Sequence, residues 1–340
     1  MKHVLIIAEA GVNHNGDMAL AKQLIDAASE SGADYVKFQT FKTENLVSKE
    51  AKKAEYQKQN TKDGADGSQY NMLKKLELSI ENHHELIDYC KYKNIQFLST
   101  AFDLDSIDLL KSLGINLFKI PSGEITNLPY LQKIGEMNTQ VIVSTGMCVM
   151  QDVEAAINEL VKSGTNRNNI SVLHCTTDYP TAMKDVNLKA MLSIQSQLNL
   201  PVGYSDHTLG IEVPIAAVAM GACIIEKHFT LDKSLPGPDH KASLEPKELA
   251  AMVKAIRNIE QAIGSETKEP TETERHNILI ARKSIHLSQS LEKGHILTSD
   301  DLVMKRPGDG ISPMKMNEVL GKKIASNLLQ EHKLNWEDLE

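Results

Sequence analysis

Eight short apolar runs recur along the first 265 or so residues of this 340-residue chain, and their repetition restricts the possible folds more than any other feature. Segments with helical spacing of apolar residues separate them, such as residues 18–32, 79–94, 152–164 and 245–264. Short β-branched runs predict strands and the longer periodic segments predict helices, so the chain consists of repeated strand–helix units. The eight runs are residues 4–10, 35–40, 95–100, 117–122, 141–145, 170–175, 201–206 and 222–228.

Strand–helix alternation fits two arrangements, a closed parallel barrel and an open doubly wound sheet. The count of eight favours the barrel, and no Gly-x-Gly-x-x-Gly turn follows the first run, as a dinucleotide-binding sheet would have. Polar residues also lie at the carboxyl end of every run, where a barrel collects its chemistry. We therefore predict an α/β fold of the (β/α)₈ TIM-barrel class over residues 1–264.

Two segments depart from this repeat. Residues 41–78 are highly polar and predict either a solvated surface insertion or a lid, because loops that follow barrel strands border the site. Residues 265–281 read as a charged linker, and residues 282–340 as a small β-rich domain with Gly and Pro turns. A domain of about 60 residues has a marginal core, so we expect it to dock on another surface.

Composition excludes several classes of function. A formal net charge of −8 argues against nucleic acid or an anionic membrane as the main partner. The four cysteines are widely spaced and form no Cys-x-x-Cys pair, which disfavours a zinc ribbon or a disulfide framework and fits a reducing cytosol. No run approaches the roughly 20 apolar residues of a membrane span. We expect a soluble, cytoplasmic protein.

Two lysines at strand ends predict an anion site. Lys37 and Lys119 sit in otherwise apolar runs, at the end where barrel sites occur. A lysine supplies charge for a phosphate or carboxylate, and neighbouring hydroxyls and loop N–H groups supply directed donors. A single strand lysine more often extends its ammonium to a surface. The strand-end residues also include Glu9, Gln39, Ser99, Thr100, Ser122, Glu124, Ser144, Thr145, Gly146, His174, Cys175, Tyr179, Ser205, Asp206, Glu226, Lys227 and Asp239.

His207 and His228 end adjacent predicted strands, so their imidazoles could converge on one ion. Glu9 or water would complete the ligand shell. Two imidazoles with oxygen ligands favour a divalent ion such as Mn²⁺ or Mg²⁺ over structural zinc, with open positions for a substrate oxygen. The opposing interpretation is that each is an ordinary core or surface histidine, of which this chain has 12.

Nine motifs follow one another along the barrel region, namely EAGVNHNG, VKFQT, STAFD, KIPSGE, STGM, HCTTDYPT, GYSDHTLG, EKHFT and PGPDH. In this order they resemble the sialic acid synthase family, which includes the legionaminate synthases. The C-terminal KRPGDGISP and LGKKIA resemble the family's antifreeze-like (SAF) domain. The resemblance implies a synthase that condenses phosphoenolpyruvate with a 2-acetamido-mannose-type sugar, giving a nine-carbon 2-keto acid and phosphate.

The resemblance also implies a role for individual residues. His207 and His228 would bind the metal, usually Mn²⁺, with Mg²⁺ or Co²⁺ possible, and Lys119, Glu9 and Glu124 are candidate catalytic residues. Either glutamate could handle protons. Arg306 would reach the sugar from the partner subunit of a domain-swapped homodimer. Phosphoenolpyruvate would contact Lys37, Thr100, Lys119, Ser122, Ser144, Ser205 and the backbone near Gly146, and the open-chain sugar would face Glu9, Gln39, Glu124, Tyr179 and Asp239.

Three alternatives stay open. A Schiff-base aldolase on the same fold would use Lys119 or Lys37 as the amine nucleophile and need no metal. A non-enzymatic C-terminal module would bind glycan or ice. Within the family, the acceptor sugar is either N-acetylmannosamine, giving N-acetylneuraminate, or a 2,4-diacetamido-2,4,6-trideoxymannose, giving N,N'-diacetyllegionaminate. We favour N-acetylmannosamine at this stage.

Overall fold

The structure is a computed structural model that describes residues 3–53 and 68–340. The chain divides into two compact units, Met1–Gly264 and Ser265–Glu340. Each unit has its own buried apolar cluster.

The first unit contains eight parallel strands in the described chain, and they confirm the predicted barrel. The strands are β1 (Leu5–Gly11), β2 (Tyr35–Thr40), β3 (Gln96–Ala101), β4 (Leu117–Ile120), β5 (Gln140–Ser144), β6 (Ile170–Cys175), β7 (Val202–Asp206) and β8 (Ile224–His228). The order of hydrogen-bonded neighbours is β3-β2-β1-β8-β7-β6-β5-β4. The ring is therefore continuous except between β3 and β4, where no ladder forms between these two described strands, and the barrel is nearly closed.

Helices follow the strands and cover the barrel. The helices are α1 (Met18–Glu30), α2 (Thr43–Leu46), α3 (Gln69–Lys74), α4 (Ile80–Tyr92), α5 (Leu104–Ser112), α6 (Leu128–Gly135), α7 (Met150–Ser163), α8 (Ala190–Leu198), α9 (Glu212–Ala219) and α10 (Pro246–Ala262). Side-chain caps stabilise the start of several helices: Asp17 accepts hydrogen bonds from the backbone of α1, and Ser79 forms a capping box at α4. Short 3₁₀ turns cover Ser122–Glu124, Arg167–Asn169, Met183–Asp185 and His240–Ala242.

Alternation along the strands separates two buried layers. Outward side chains such as Ile6, Val36 and Phe118 join the large cluster beneath the helices. Inward side chains at the amino end of the strands form a second cluster that fills the barrel floor, comprising Ile7, Leu98, Ile142, Leu173 and Ile224. Because side chains two positions apart share a face, the next inward residue on each strand lies above this floor.

The polar segment 41–78 is partly described. It contributes α2 and α3, and its apolar residues Phe41 and Leu76 are buried with Val12 in a small separate cluster. Residues 54–67 lie outside the described residues, so the structure describes only part of the segment predicted as an insertion or a lid.

The second unit contains α11 (Glu272–Ala281), β9 (Ser284–Leu287), β10 (Leu302–Lys305) and α12 (Met316–Val319), with β9 and β10 antiparallel. Its 3₁₀ turns are Ser299–Asp301, Pro313–Lys315 and Trp336–Asp338. Part of the segment expected to be a charged linker is helical, because Thr271 and Glu274 form a capping box that starts α11. Among the described residues, no helix is long and apolar enough to cross a membrane.

Candidate active site

The inward face of the barrel changes from apolar to polar at its carboxyl end. Ile7 is followed by Glu9 on β1, Leu117 by Lys119 on β4, and Ile224 by Glu226 on β8. Lys37, Ser144 and Ser205 occupy the same level on their strands, and all six side chains are buried. The predicted strand-end residues therefore meet in one place, which is where barrel enzymes carry out their chemistry.

A carboxylate lies at the centre of this group. Glu226 Oε1 lies 3.4 Å from Lys119 Nζ and accepts a hydrogen bond from Ser205 Oγ at 3.0 Å. Its other oxygen, Oε2, lies 3.5 Å from Lys37 Nζ. Lys37 Nζ also pairs with Glu9 Oε2 at 2.8 Å and donates to Thr100 Oγ1 at 2.9 Å. Two cations and two carboxylates thus form one buried network.

The pKa values of the four side chains in this network are shifted in different directions. Burial acts to raise the pKa of Glu226, but Lys119 and Lys37 outweigh it and lower that pKa to about 2. Burial raises the pKa of Glu9 to about 7, with Lys37 opposing and Glu226 adding to the rise. Burial lowers the pKa of Lys119, with Glu226 opposing. Burial also acts to lower the pKa of Lys37, but Glu226 and Glu9 outweigh it and raise that pKa above its ordinary value. Glu226 is therefore the carboxylate that favours the charged form of both lysines.

Beside the lysines lies a narrow recess, called the cradle below, that is formed by Gly146, Ser122 and Cys175. The backbone N–H of Gly146 donates to Ser122 Oγ at 2.9 Å, and Ser122 Oγ lies 3.2 Å from Cys175 Sγ. A Cβ at Gly146 would lie 2.1 Å from Thr177 Oγ1, so any larger residue would force this hydroxyl to move. Ser144 Oγ is buried and has no hydrogen-bond partner among the described residues. A buried hydroxyl without a partner is costly unless a ligand supplies one.

His207 and His228 lie side by side, with ring centroids 5.5 Å apart. His207 Nδ1 lies 2.6 Å from the carbonyl oxygen of Thr176, which can only accept, so Nδ1 carries the proton and Nε2 keeps its lone pair. Burial lowers the pKa of both imidazoles, and His207 lowers that of His228 further. Both rings are therefore neutral at neutral pH.

These two imidazoles fit a divalent metal. His228 Nδ1 is buried without a hydrogen-bond partner among the described residues and lies 4.0 Å from Asp239 Oδ2. The hydrogen bond from His207 to a backbone carbonyl is the arrangement that orients a metal-binding histidine. Within the described part of the chain, no group of three or more His, Cys, Asp or Glu side chains has metal-binding spacing. The protein would therefore supply two nitrogen ligands and leave the other positions to water or substrate.

The predicted sugar-facing residues surround the histidines. The ring of Tyr179 lies 4.0 Å from that of His207 and meets that of His228 edge-on at 5.8 Å. Gln39 Nε2 donates to Glu9 Oε1 at 3.3 Å. Asp239 is buried, which raises its pKa to about 6. Gln39, Tyr179, His228 and Asp239 all line one cavity of about 250 Å³.

Glu124 is hydrogen-bonded within its own turn, and Arg306 belongs to the second unit. Glu124 ends the 3₁₀ turn after β4, where its Oε2 accepts from Asn127 Nδ2 at 2.6 Å, and burial raises its pKa. Arg306 is exposed in the second unit, directly after β10. The predicted role of Arg306 belongs to an assembly of two chains.

Two site residues had no role in the sequence prediction. Glu226 was noted only as a strand-end residue, and its position two residues before His228 on the inward face of β8 was the available signal. Cys175 ends β6 and contacts Ser122 in the cradle. By contrast, Lys227 and Asp206 point outward and form a fully buried ion pair, so they support the barrel wall instead of the site.

The fold and this centre define a (β/α)₈-barrel enzyme with a buried network of lysines and carboxylates beside two neutral histidines. The sequence profile of the NeuB family matches residues 24–268, and that of the SAF domain matches residues 282–340. An N,N'-diacetyllegionaminic acid synthase from Campylobacter jejuni is 54% identical over 331 residues, spanning 97% of this chain and 98% of the relative. A second synthase of that name, from Legionella pneumophila, is 51% identical, spanning 98% of this chain and 94% of the relative.

A crystal structure of an N-acetylneuraminic acid (sialic acid) synthetase from Leptospira borgpetersenii has 35% sequence identity and a TM-score of 0.71, covering 82% of this chain and 90% of that one. The chain belongs to the NeuB family and is a carbon–carbon bond-forming synthase with a C-terminal SAF domain.

Proposed function

We propose that the protein condenses phosphoenolpyruvate with 2,4-diacetamido-2,4,6-trideoxymannose to give N,N'-diacetyllegionaminate and phosphate. The observation that carries the proposal is the buried network of Lys37, Lys119 and Glu226 next to His207 and His228, because it offers an anion site beside a site for an aldehyde oxygen. The relatives named for the diacetamido product are more similar to this chain than the sialic acid synthetase is. This reverses our sequence-based preference for N-acetylmannosamine.

Phosphoenolpyruvate would bind through the lysines and the cradle. Lys37 and Lys119 would neutralise its phosphate and carboxylate, and the hydroxyls of Ser122, Ser144 and Thr100 would supply directed donors. Ser205 and the backbone at Gly146 would border the substrate while donating to Glu226 and Ser122. Fixed charges act most strongly where water is excluded, and the buried state of both lysines meets that condition.

His207 and His228 would hold the divalent metal, for which we propose Mn²⁺. When bound, such an ion supplies Lewis acidity that polarises a carbonyl oxygen. The two histidines would hold the ion at the carbonyl end of the open-chain sugar, and Tyr179, Gln39 and Asp239 would surround the rest of it. C3 of phosphoenolpyruvate attacks C1 of the sugar, whose carbonyl oxygen takes up a proton and becomes a hydroxyl. Water adds at C2 of phosphoenolpyruvate and gives up a proton, and the resulting tetrahedral carbon expels phosphate by C–O cleavage and becomes the ketone.

Glu9 is better situated than Glu124 to handle a proton in this reaction. Its carboxylate contacts Lys37 and Gln39, and therefore joins the anion side of the site to the sugar side. Glu124 is instead hydrogen-bonded to Asn127 on the following turn. We assign Glu9 the proton-handling role and keep Glu124 as a sugar contact.

We further propose a domain-swapped homodimer in which Arg306 of one chain reaches the sugar in its partner. The exposed side chain of Arg306 and the separate core of the second unit support this arrangement. Four free cysteines support action in the reducing cytoplasm.

The test is phosphate release from phosphoenolpyruvate with each of the two sugars, with Mn²⁺ and after treatment with a chelator. We expect release with the diacetamido sugar, none without sugar, and loss with chelator that Mn²⁺ reverses. A chelator-resistant condensation of pyruvate without phosphate release, in which borohydride links the substrate covalently to a lysine, would instead identify a Schiff-base aldolase.

A further inference from the structure

The cavity beside His228 has two chemically different walls. One wall is polar and consists of Gln39, Tyr179, His228 and Asp239. The other wall is apolar and comprises Val12, Phe41, Leu46, Val47, Met72, Leu73 and Phe102, of which all but Val47 and Met72 pack in one apolar cluster. We call this second set the apolar wall. The cavity has a volume of about 250 Å³, which is room for substituents of a sugar whose aldehyde lies near the histidines.

Three separate parts of the chain build the apolar wall. Val12 follows β1, Phe41 follows β2, and Phe102 follows β3, so each lies just above a barrel strand. The rings of Phe41 and Phe102 meet edge-to-face with centroids 6.4 Å apart. Leu46 belongs to α2 and is followed by Val47, and Met72 and Leu73 belong to α3, all in the described part of the polar segment 41–78. That segment therefore supplies apolar side chains to the site although its composition is polar.

The apolar wall favours contact with a methyl group over contact with a hydroxyl group. A sugar hydroxyl held against these side chains would lose its water without gaining a hydrogen bond, which is unfavourable. A methyl group in the same place would instead gain apolar contact. Gln69 and Gln39 also line the cavity and can satisfy the polar atoms of an amide. The combination suits a deoxy sugar that carries an additional acetamido group.

We infer that the apolar wall determines acceptor specificity by receiving the C6 methyl and the C4 acetamido methyl of the sugar. This inference rests on the proposed function, since it concerns the acceptor of that reaction. It assigns Leu46 and Leu73 a role in choosing between two sugars. It also gives the polar insertion a function beyond covering the surface.

The first test uses the unmodified protein and two sugars that differ by one oxygen. N-acetylmannosamine and its 6-deoxy analogue are compared as acceptors by phosphate release at saturating phosphoenolpyruvate. We expect kcat/KM to be higher for the 6-deoxy sugar by about tenfold or more, the discrimination that one group gives in an apolar pocket. Equal kcat/KM values would overturn the inference while leaving the proposed function intact. Absence of release with every sugar would overturn the proposed function itself.

The second test changes the wall. In Leu46→Asn and Leu73→Asn, both at half-buried positions, we expect the preference for the 6-deoxy sugar to shrink by about tenfold through a higher KM for that sugar. The KM for phosphoenolpyruvate should stay within about twofold, since its site lies around the lysines. Leu113→Asn is the matched control, a half-buried leucine that ends α5 away from the cavity, and should keep the wild-type preference. An unchanged preference in both wall variants would overturn the inference.

Discussion

At the scale of single residues, the site depends on a carboxylate that neutralises two lysines. Glu226 lies within 3.5 Å of both ammonium groups, and burial would otherwise lower the pKa of each. A buried charge without a partner is strongly unfavourable, so the three side chains act as one unit. His207 and His228 differ from the lysines, because burial keeps the two imidazoles neutral and therefore able to bind a metal.

Replacing Glu226 changes the pH dependence of catalysis in a defined direction. In Glu226→Gln the group that opposes the effect of burial on Lys119 is lost, so the pKa of Lys119 falls further. A lysine carries its positive charge below its pKa and loses that charge as the pH rises through this value. The basic limb of kcat/KM for phosphoenolpyruvate should therefore shift to lower pH, with activity reduced by about 10² at neutral pH.

The pH profile of phosphate release measures this shift. Glu136→Gln, an exposed glutamate after α6, is the control and should keep the wild-type profile. A basic limb in Glu226→Gln at or above the wild-type position would contradict the assigned role.

The two histidines make a prediction about metal binding that needs no activity assay. Added Mn²⁺ should raise the melting temperature of the wild-type protein, because a ligand that binds only the folded state stabilises it. His207→Ala and His228→Ala should lose that stabilisation. His276→Ala, an exposed histidine in α11, should retain it. Differential scanning fluorimetry with and without Mn²⁺ provides the measurement, and equal stabilisation of all four proteins would count against the site.

At the scale of elements, strand ends and the turns after them position the chemistry. The turn after β5 brings the backbone of Gly146 against Ser122 and Cys175, which follow or end β4 and β6. Three neighbouring strands thus converge on one cradle, and a side chain at Gly146 would occupy it.

Gly146→Ala should therefore damage phosphoenolpyruvate binding. Its Cβ would lie 2.9 Å from Ser122 Oγ and 2.1 Å from Thr177 Oγ1, so the cradle must open. We expect KM for phosphoenolpyruvate to rise by about tenfold or more, with a smaller effect on the sugar. Gly123→Ala is the matched control, since nothing lies within 4 Å of its added Cβ. Steady-state kinetics of both variants measure the KM for phosphoenolpyruvate. An unchanged KM in Gly146→Ala would contradict the proposal that the cradle binds phosphoenolpyruvate.

Elements differ in how far the sequence predicts them. The eight strands follow from apolar runs with polar ends, because the barrel buries both faces of each strand and needs apolar residues there. Helix α11 was missed, since its charged composition resembles a linker and its start depends on the Thr271 capping box. The cluster of site residues was predictable from the shared edge of parallel strands. The role of Glu226 was not, because it arises from distances across the barrel between β2, β4 and β8.

At the scale of the whole molecule, the proposed dimer requires each active site to contain residues from two chains. Co-expression of Arg306→Ala with His228→Ala tests this directly. In a domain-swapped heterodimer one site combines both intact residues, so the purified heterodimer should recover about half the activity of the wild type. Each variant alone should be inactive.

Two different affinity tags allow the heterodimer to be purified, and phosphate release then measures the recovery. If Arg306 served its own barrel, both sites of the heterodimer would carry one substitution and stay inactive. A fully active Arg306→Ala homodimer would remove Arg306 from the site altogether.

The central claim, condensation of phosphoenolpyruvate with a diacetamido sugar in this barrel, is tested most directly by the fate of the phosphoenolpyruvate carbons. The enzyme with Mn²⁺ is given fully ¹³C-labelled phosphoenolpyruvate and 2,4-diacetamido-2,4,6-trideoxymannose, and the products are measured by mass spectrometry. We predict a nine-carbon keto acid that retains all labelled carbons and carries no phosphate, with one phosphate released per product. A sugar recovered without label, or labelled pyruvate as the only product, would contradict the account.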